Sequence, residues 1–225
     1  AGIKGSPSFY TCNIGKKSIT LDMKGDAART VLERLLPTAD VFIQGFRPGV
    51  MKRLGYDYDA VRALKPDIIY ASVSGFGQSG PSSHLPAYDG AIQASSGMMA
   101  INGHPTTGPT RTGYMPVDMA TALNTAFAVS AALYRRLATG EGQAVDVAMM
   151  DTAMVLQAPQ VSAYLVNDVQ PELLGNRSPT KAPTANVFVT NNGFVQVVAI
   201  KEPQVKAMFD VLGFGQRYGE FDNAA

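Results

Sequence analysis

The sequence predicts an α/β protein with a parallel sheet that carries helices on both faces, followed by the start of a second, smaller α+β domain. Short and almost wholly apolar segments, such as residues 68–73, alternate with helical segments, which is typical of strands covered on both faces. Two alternating segments flank residues 191–193, Asn-Asn-Gly, and an Asn-Gly pair between such segments is a strong hairpin signal. This change of pattern predicts a large domain over residues 1–180 and the start of a smaller one over residues 181–225.

The elements follow from periodicity and from the residues that begin and end them. Residues 18–22 alternate apolar and polar side chains and predict a strand, whereas residues 26–36 carry an apolar helical face that ends before Pro37. Asp57 is a preferred capping residue and predicts a helix over residues 57–64. The other predicted strands are residues 40–44, 68–73, 145–147, 186–190 and 194–200, and the other predicted helices are residues 88–99, 117–137, 148–156 and 202–212. This alternation of strands and helices predicts a Rossmann-like sheet.

Composition bounds the classes of protein that the chain can represent. Of 225 residues, 46% are hydrophobic and 16% are charged, which suits a globular core and argues against disorder. The net charge of +1, without a block of like charges, gives nucleic-acid binding no electrostatic support. Apolar runs such as residues 126–133 are too short to span a bilayer, which takes about 20 residues, so no membrane association is expected. Cys12 is the single cysteine, which excludes an intrachain disulfide and predicts a cytoplasmic location, and the lack of paired Cys or His motifs predicts no metal site.

Asp151 is the candidate catalytic residue. Residues 140–143 read as a turn, the alternating residues 145–147 as a short strand, and residues 148–156 as a helix. Asp151 would then lie in the first turn of a helix just beyond the end of a strand, where N–H groups and the helix dipole favour an ionised carboxylate. Open α/β sheets bind ligands outside the carboxyl ends of their strands. From position alone, an ordinary helix-terminal charge explains Asp151 as well.

Residues 140–151, Gly-Glu-Gly-Gln-Ala-Val-Asp-Val-Ala-Met-Met-Asp, resemble the signature of the class III CoA-transferases, the group of the formyl-CoA and carnitine CoA-transferases. Three other segments are similar to motifs of that family in the same order. Residues 13–22 resemble its Asn-Arg-x-Lys-Arg-Ser-x-x-Leu-Asp segment, residues 46–55 its CoA-binding stretch, and residues 72–81 the loop after the next strand. The resemblance implies that Asp151 is the covalent nucleophile. It also implies that the chain is an internal fragment of a longer member, without the preceding strand-helix unit and with an incomplete small domain.

The resemblance further implies where CoA and the second substrate bind. The family uses the stretch at residues 46–55 for the nucleotide end of CoA, where guanidinium groups suit phosphate, and the loop after the next strand for pantetheine. The implied CoA-binding residues are Phe46, Arg47, Arg53, Ser74, Gly75 and Phe76, and the implied substrate-binding residues are Tyr88, Asn176 and Arg177. Other interpretations stay open, because exposed arginines are often only solvated charges and a Gly-Phe-Gly sequence also fits a plain turn.

The function implied by the resemblance is transfer of CoA from an acyl-CoA thioester to a free carboxylic acid through covalent aspartyl intermediates. A carboxylate nucleophile suits this reaction, CoA is a substrate, and no metal or redox cofactor is required. The partners implied are an acyl-CoA, a small carboxylic acid and a second copy of the protein in an intertwined homodimer.

Two alternatives are a 2-methylacyl-CoA racemase or epimerase of the same superfamily, and a non-catalytic CoA-binding fragment. The racemases resemble this chain but carry His-Asp where Tyr88-Asp89 stand. Their reaction needs a base on each face of the α-carbon, and a tyrosine phenol is a poor base at neutral pH. Tyr88 therefore favours the transferase, and we interpret Asp89 and Asp118 as helix caps.

Overall fold

The computed structural model describes residues 6–220 and confirms an α/β fold with a parallel sheet. Its helices are α1 (Pro7–Asn13), α2 (Asp26–Leu35), α3 (Val50–Leu54), α4 (Tyr58–Leu64), α5 (Asp89–Ser95), α6 (Met98–Ile101), α7 (Pro116–Thr139), α8 (Met149–Leu156), α9 (Ala158–Asn167) and α10 (Glu202–Val211). Its strands are β1 (Val41–Gln44), β2 (Ile69–Ser74), β3 (Gly103–His104), β4 (Gly108–Pro109), β5 (Gln143–Ala148), β6 (Ala185–Thr190) and β7 (Gly193–Val198).

By compactness the described chain divides into two units, residues 6–72 with 128–145 and residues 73–127 with 146–220. The chain passes from one unit to the other within β2, α7 and β5. These interleaved units are not the two consecutive domains that the sequence predicts. The predicted boundary between a large and a small domain near residue 180 therefore stays a prediction.

Most of the predicted elements are confirmed to within a few residues, but the strand predicted over residues 18–22 is wrong. These residues are irregular and mostly exposed, with Ile19 exposed by 62%. An alternating pattern favours an extended chain, but a strand also needs a neighbour to satisfy its backbone hydrogen bonds. Within residues 6–220 no strand pairs with this segment. The helices α1, α3 and α9 and the two-residue strands β3 and β4 were not predicted.

In the first unit, β2 is buried on both faces. The sheet has the order β1-β2-β5, and β1 runs parallel to β2 with Val41 opposite Ile69. Ile68 and Tyr70 pack into a cluster with residues of α2, α3 and α4, while Ile69 and Ala71 pack against α7. Alternate side chains therefore enter two different cores, which confirms the predicted helices on both faces of the sheet.

Arg136, in the last turn of α7, joins this helix to the segments that precede β1 and β2. Its guanidinium lies 2.8 Å from Asp40 Oδ1 and 3.5 Å from Asp67 Oδ2. Lys65 also pairs with Asp67 at 2.9 Å, and this hydrogen bond is the main reason why the pKa of the Asp67 carboxyl is lowered. The Arg136 side chain is mostly buried, so its ion pairs are less screened than ordinary surface pairs.

The second unit combines helices with two small antiparallel hairpins. Helices α5 and α8 pack together around a core cluster of Ile92, Met98, Val117 and Ala153. Strands β6 and β7 form the predicted hairpin, with Ala185 opposite Val198 and Thr190 opposite Gly193. The turn residues are thus 191–192, and Gly193 has a φ of 151°, a conformation that side-chain-bearing residues rarely adopt.

In the described part of the chain, no helix is long and apolar enough to cross a membrane.

Asp57 caps α4, because its Oδ1 accepts a hydrogen bond from the N–H of Ala60 at 3.2 Å. We expect Asp57→Ala to lower the free energy of unfolding by about 1 kcal/mol, since the helix N-terminus loses its side-chain acceptor. Urea denaturation measures this loss. Asp59→Ala is the matched control: Asp59 lies in the first turn but does not cap it, and its removal should cost clearly less. Equal losses for the two variants would contradict the capping role.

Candidate active site

Asp151 lies where the sequence predicts it, in the first turn of a helix at the carboxyl end of a strand. β5 ends at Ala148, which has extended backbone angles and occupies the N-cap position of α8, and Asp151 is the third residue of that helix. Its side chain is exposed, and within residues 6–220 its carboxylate has no hydrogen-bond or ion-pair partner. The carboxylate thus lies at the positive end of the helix dipole with no partner among these residues, which leaves it accessible to a substrate.

The loop after β2 is fastened beside this turn. The N–H of Met150 donates a hydrogen bond to the carbonyl oxygen of Gly75 at 3.0 Å. Phe76 and Met149 pack against the same apolar cluster, built around Ile92 and Ala153. Residues 75 and 76, which were predicted to contact pantetheine, therefore border the helical turn that carries Asp151.

Gly75 is required by close packing. A Cβ atom at this position would clash with the Cβ of Ala87. From the sequence, a glycine at this position could either admit a ligand or form a plain turn. The structure gives another reason for the glycine, which is the close approach of the segment that precedes α5. Gly77, by contrast, is needed for its φ of 85°.

Two polar side chains next to this loop are buried without a partner. Ser74 Oγ and Gln78 Nε2 make no hydrogen bond with any residue from 6 to 220. Buried polar groups are nearly always hydrogen-bonded, so an unpaired one is uncommon. Such an atom indicates that its hydrogen bond is made in another conformation or with another molecule. Of these two residues, only Ser74 was predicted to bind CoA.

Asp146, to which the sequence alone gave no role, contacts the same loop through its carboxylate. Asp146 Oδ2 accepts a hydrogen bond from the N–H of Gln78 at 2.8 Å. The available signal was an aspartate between two valines in a predicted strand, because aspartate is depleted in strands.

Tyr88 and Asp89 begin α5 in very different environments. Tyr88 precedes the helix and is 81% exposed, whereas Asp89 is buried. Asp89 Oδ2 accepts hydrogen bonds from the N–H groups of Val117 at 2.9 Å and Asp118 at 3.0 Å. Asp89 is thus confirmed as a cap, but of α7 and not of its own helix.

Asp118 is not a cap. It lies in the first turn of α7, which begins at Pro116. Burial raises the pKa of the Asp118 carboxyl, and the negative charge of Asp89 raises it further.

Asn176 and Arg177 lie in the irregular segment between α9 and β6, and both are exposed. The segment is held by a hydrogen bond from the Gly175 N–H to the carbonyl oxygen of Gly103 at 2.9 Å. A hydrogen bond from Lys181 is the main reason why the pKa of the Glu172 carboxyl is lowered, and the positive charge of Arg177 lowers it slightly further. The placement leaves the Arg177 guanidinium open to solvent.

Phe46, Arg47 and Arg53 belong to the first unit, just beyond the end of β1. The N–H of Phe46 donates to Gln44 Oε1 at 2.8 Å, and Gln44 Nε2 donates to Ser72 Oγ at 2.9 Å, which fixes where the chain leaves the sheet. The side chains of all three residues are exposed.

Arg53 folds back over the turn that contains Arg47. Gly49 has a φ of 80°, and its missing Cβ would lie 3.3 Å from Arg53 Nη1. Both arginines are exposed, and within residues 6–220 neither forms an ion pair. Two guanidinium groups without ion pairs, one on this turn and one on the helix that follows it, are suited to a phosphate-bearing ligand.

A model of CoA-transferase family III matches residues 2–224. The chain belongs to this family. It is 35% identical over 207 residues to a succinate–glutarate CoA-transferase of Agrobacterium fabrum, covering 92% of this chain and 52% of that protein. It is 37% identical over 206 residues to an acetyl-CoA:oxalate CoA-transferase of Acetobacter aceti, covering 91% of this chain and 53% of that protein.

Solved structures agree with the assignment to CoA-transferase family III. A CAIB/BAIF family protein from Brucella suis matches with a TM-score of 0.83 at 33% identity, over 92% of this chain and 56% of that one. A protein from Mycobacterium tuberculosis matches with a TM-score of 0.82 at 30% identity, over 95% of this chain and 56% of that one. The chain spans about half the length of the curated relatives it matches. Within this family framework, the roles of the individual site residues stay predictions.

The contact between Gly75 and Ala87 gives a test of the site's architecture. We expect Gly75→Ala to lower the free energy of unfolding by about 1–3 kcal/mol, because the added methyl group must displace the loop beside α8. Thermal or urea unfolding measures the effect. Gly113→Ala is the control, since a Cβ there meets nothing within 4 Å. A Gly75→Ala protein as stable as the Gly113→Ala protein would show that the contact does not constrain the loop.

Proposed function

We propose that this chain carries the nucleophile of an acyl-CoA:carboxylate CoA-transferase, and that the nucleophile is Asp151. The observation that carries the proposal is the position of Asp151, an exposed and unpartnered carboxylate in the first turn of α8, in a chain of CoA-transferase family III. A helix-terminal charge would explain the position alone, but a carboxylate nucleophile also suits the transfer of CoA between acids, which supports the catalytic role.

The reaction proceeds by four substitutions at carbonyl carbon. Asp151 attacks the thioester of the donor, which gives a mixed anhydride and releases the CoA thiolate. The thiolate attacks the aspartyl carbonyl, which releases the donor acid and leaves an aspartyl-CoA thioester. The acceptor carboxylate then attacks this thioester and expels the thiolate, and the thiolate attacks the acceptor's carbonyl in the new anhydride, which frees Asp151 and the new acyl-CoA.

Each substitution passes through a tetrahedral oxyanion, which needs N–H donors aimed at it. The first turn of α8 offers backbone N–H groups that have no acceptor within the helix. That of Met150 is already bonded to Gly75, so it serves the loop and not the oxyanion in this conformation. CoA acts as a substrate throughout, and no metal or redox cofactor takes part in the proposed steps.

The names of the relatives suggest which acids to test first. The Agrobacterium protein is named for succinate and glutarate, and the Acetobacter protein for oxalate, all of them small dicarboxylic acids. We infer that a small dicarboxylate is the acceptor here. Tyr88, Asn176 and Arg177 are the proposed contacts, with Arg177 suited to the second carboxylate because its guanidinium can bind it through paired hydrogen bonds. An intertwined homodimer is the proposed assembly.

Asp151→Ala and Asp151→Asn in the full-length protein should lower CoA transfer from succinyl-CoA to glutarate or oxalate by at least about 10³-fold, with the fold unchanged. Chromatography of the acyl-CoA products measures transfer, and circular dichroism checks the fold. Asp26→Ala is the matched control, since Asp26 is also an exposed aspartate in a first helical turn. Near-normal CoA transfer by either Asp151 variant would contradict the assignment of Asp151 as the nucleophile.

Trapping separates the transferase from the racemase. After incubation with acyl-CoA, hydroxylamine should convert an aspartyl thioester to a hydroxamate on the peptide that contains Asp151, and the Asp151→Ala protein should show no such modification. Rapid deuterium incorporation at the α-carbon of a 2-methylacyl-CoA, lost in Tyr88→Phe, would instead support the racemase.

Arg47 and Arg53 should bind the phosphate groups of CoA. We expect Arg47→Ala or Arg53→Ala to weaken CoA binding by about 1.5–3 kcal/mol, which is roughly 10- to 150-fold, because a charge-assisted hydrogen bond is lost. Binding of a pantetheine analogue without phosphates should change much less, and calorimetry measures both ligands. Lys52→Ala removes a neighbouring exposed charge as a control. Equal losses for the two ligands would reject the phosphate role.

A further inference from the structure

Asp146 stands at a position that the fold alone does not favour. It lies within β5 between Val145 and Val147, and aspartate is depleted in strands because it competes for backbone hydrogen bonds. Val147 is buried while Asp146 is exposed, so the alternation of the strand turns the carboxylate away from the core. Within residues 6–220 it forms no ion pair.

The carboxylate lies against the backbone at residues 77–78. Asp146 Oδ2 accepts the hydrogen bond from the N–H of Gln78 at 2.8 Å, and a Cβ on Gly77 would lie 3.5 Å from the same oxygen. A hydrogen bond from an N–H group to an ionised carboxylate is about twice as strong as one between neutral groups. This contact joins residues that are far apart in the sequence, so its geometry is set by the tertiary fold.

The loop is thereby fastened on both sides of Phe76. On one side the carbonyl oxygen of Gly75 accepts from Met150, and on the other the N–H of Gln78 donates to Asp146. Both anchors belong to the strand and helix that carry Asp151. The Met150 anchor uses the backbone of α8, which any residue provides, whereas the second anchor depends on the Asp146 side chain.

We propose that Asp146 is a positioning residue for the reaction. It holds residues 75–78 in a fixed position beside the helical turn that carries Asp151. The proposal rests on the function proposed above, because the loop matters for chemistry only if Asp151 is the nucleophile. Small displacements of a group beside a reacting centre are costly, and a shift of about 1 Å can lower the rate about 10²-fold. Asp146 itself touches no reacting atom and acts through the loop.

The first measurement is hydrogen–deuterium exchange of the Gln78 amide in the full-length protein. Asp146→Ala should speed its exchange at least about tenfold, because the N–H loses its acceptor. Asp146→Asn keeps an acceptor oxygen in the same place and should stay closer to the wild type. Glu141→Ala removes the exposed carboxylate that pairs with Arg135 just before β5, and should leave the Gln78 amide unchanged. Unchanged exchange in Asp146→Ala would overturn the contact, whatever reaction the protein catalyses.

The second measurement is steady-state CoA transfer by the same variants. Asp146→Ala should lower kcat about 10- to 100-fold with a smaller change in the KM for acyl-CoA, because the proposed phosphate contacts remain. Asp146→Asn should restore most of kcat. Faster exchange with unchanged kcat would overturn the positioning role, and so would a loss of kcat that follows the melting temperature and is not rescued by asparagine. If the wild type transfers no CoA, the proposed function fails, and the exchange result still decides whether Asp146 holds the loop.

Discussion

Burial of β2 on both faces holds the first unit together. Ile68 and Tyr70 enter one core and Ile69 and Ala71 enter the other, so the strand is fixed from two sides. Burial of this kind is worth about 25 cal/mol per Å² of apolar surface. Because β2 is fixed, the point at which the chain leaves it is fixed as well. The loop that begins at Gly75 follows β2 directly in the chain.

Three aspartates of the second unit lie in three different environments. Asp89 is buried and accepts two backbone N–H groups at the start of α7. Asp146 is exposed and accepts one, from Gln78. Asp151 accepts none from the described residues, although it lies at a helix N-terminus. Hydrogen bonds to a carboxylate stabilise its charge and weaken it as a nucleophile, so the least engaged of the three is the one suited to attack a thioester.

Local patterns predicted those elements whose periodicity reflects burial. Three features could be predicted, because each depends on neighbours within a few residues: the apolar strand β2, the cap at Asp57 and the hairpin around residues 191–193. The strand prediction for residues 18–22 was wrong, because an alternating pattern does not reveal whether a partner strand exists. The contacts of Gly75 with Ala87 and of Asp146 with Gln78 were not readable, since they join segments that only the tertiary fold brings together. The location of Asp151 followed from its local sequence, but its proposed chemical role came from the family resemblance.

The division of the chain into interleaved units has a consequence for the order in which the protein is made. The first unit takes residues up to 72 and then residues 128–145, so α7 and β5 complete it only after the start of the second unit has been synthesised. Until then Ile69 and Ala71 have no α7 to pack against, and one face of β2 stays exposed to solvent. The emerging chain thus carries an apolar strand without its cover while about 55 further residues are added, at roughly 5–20 residues per second.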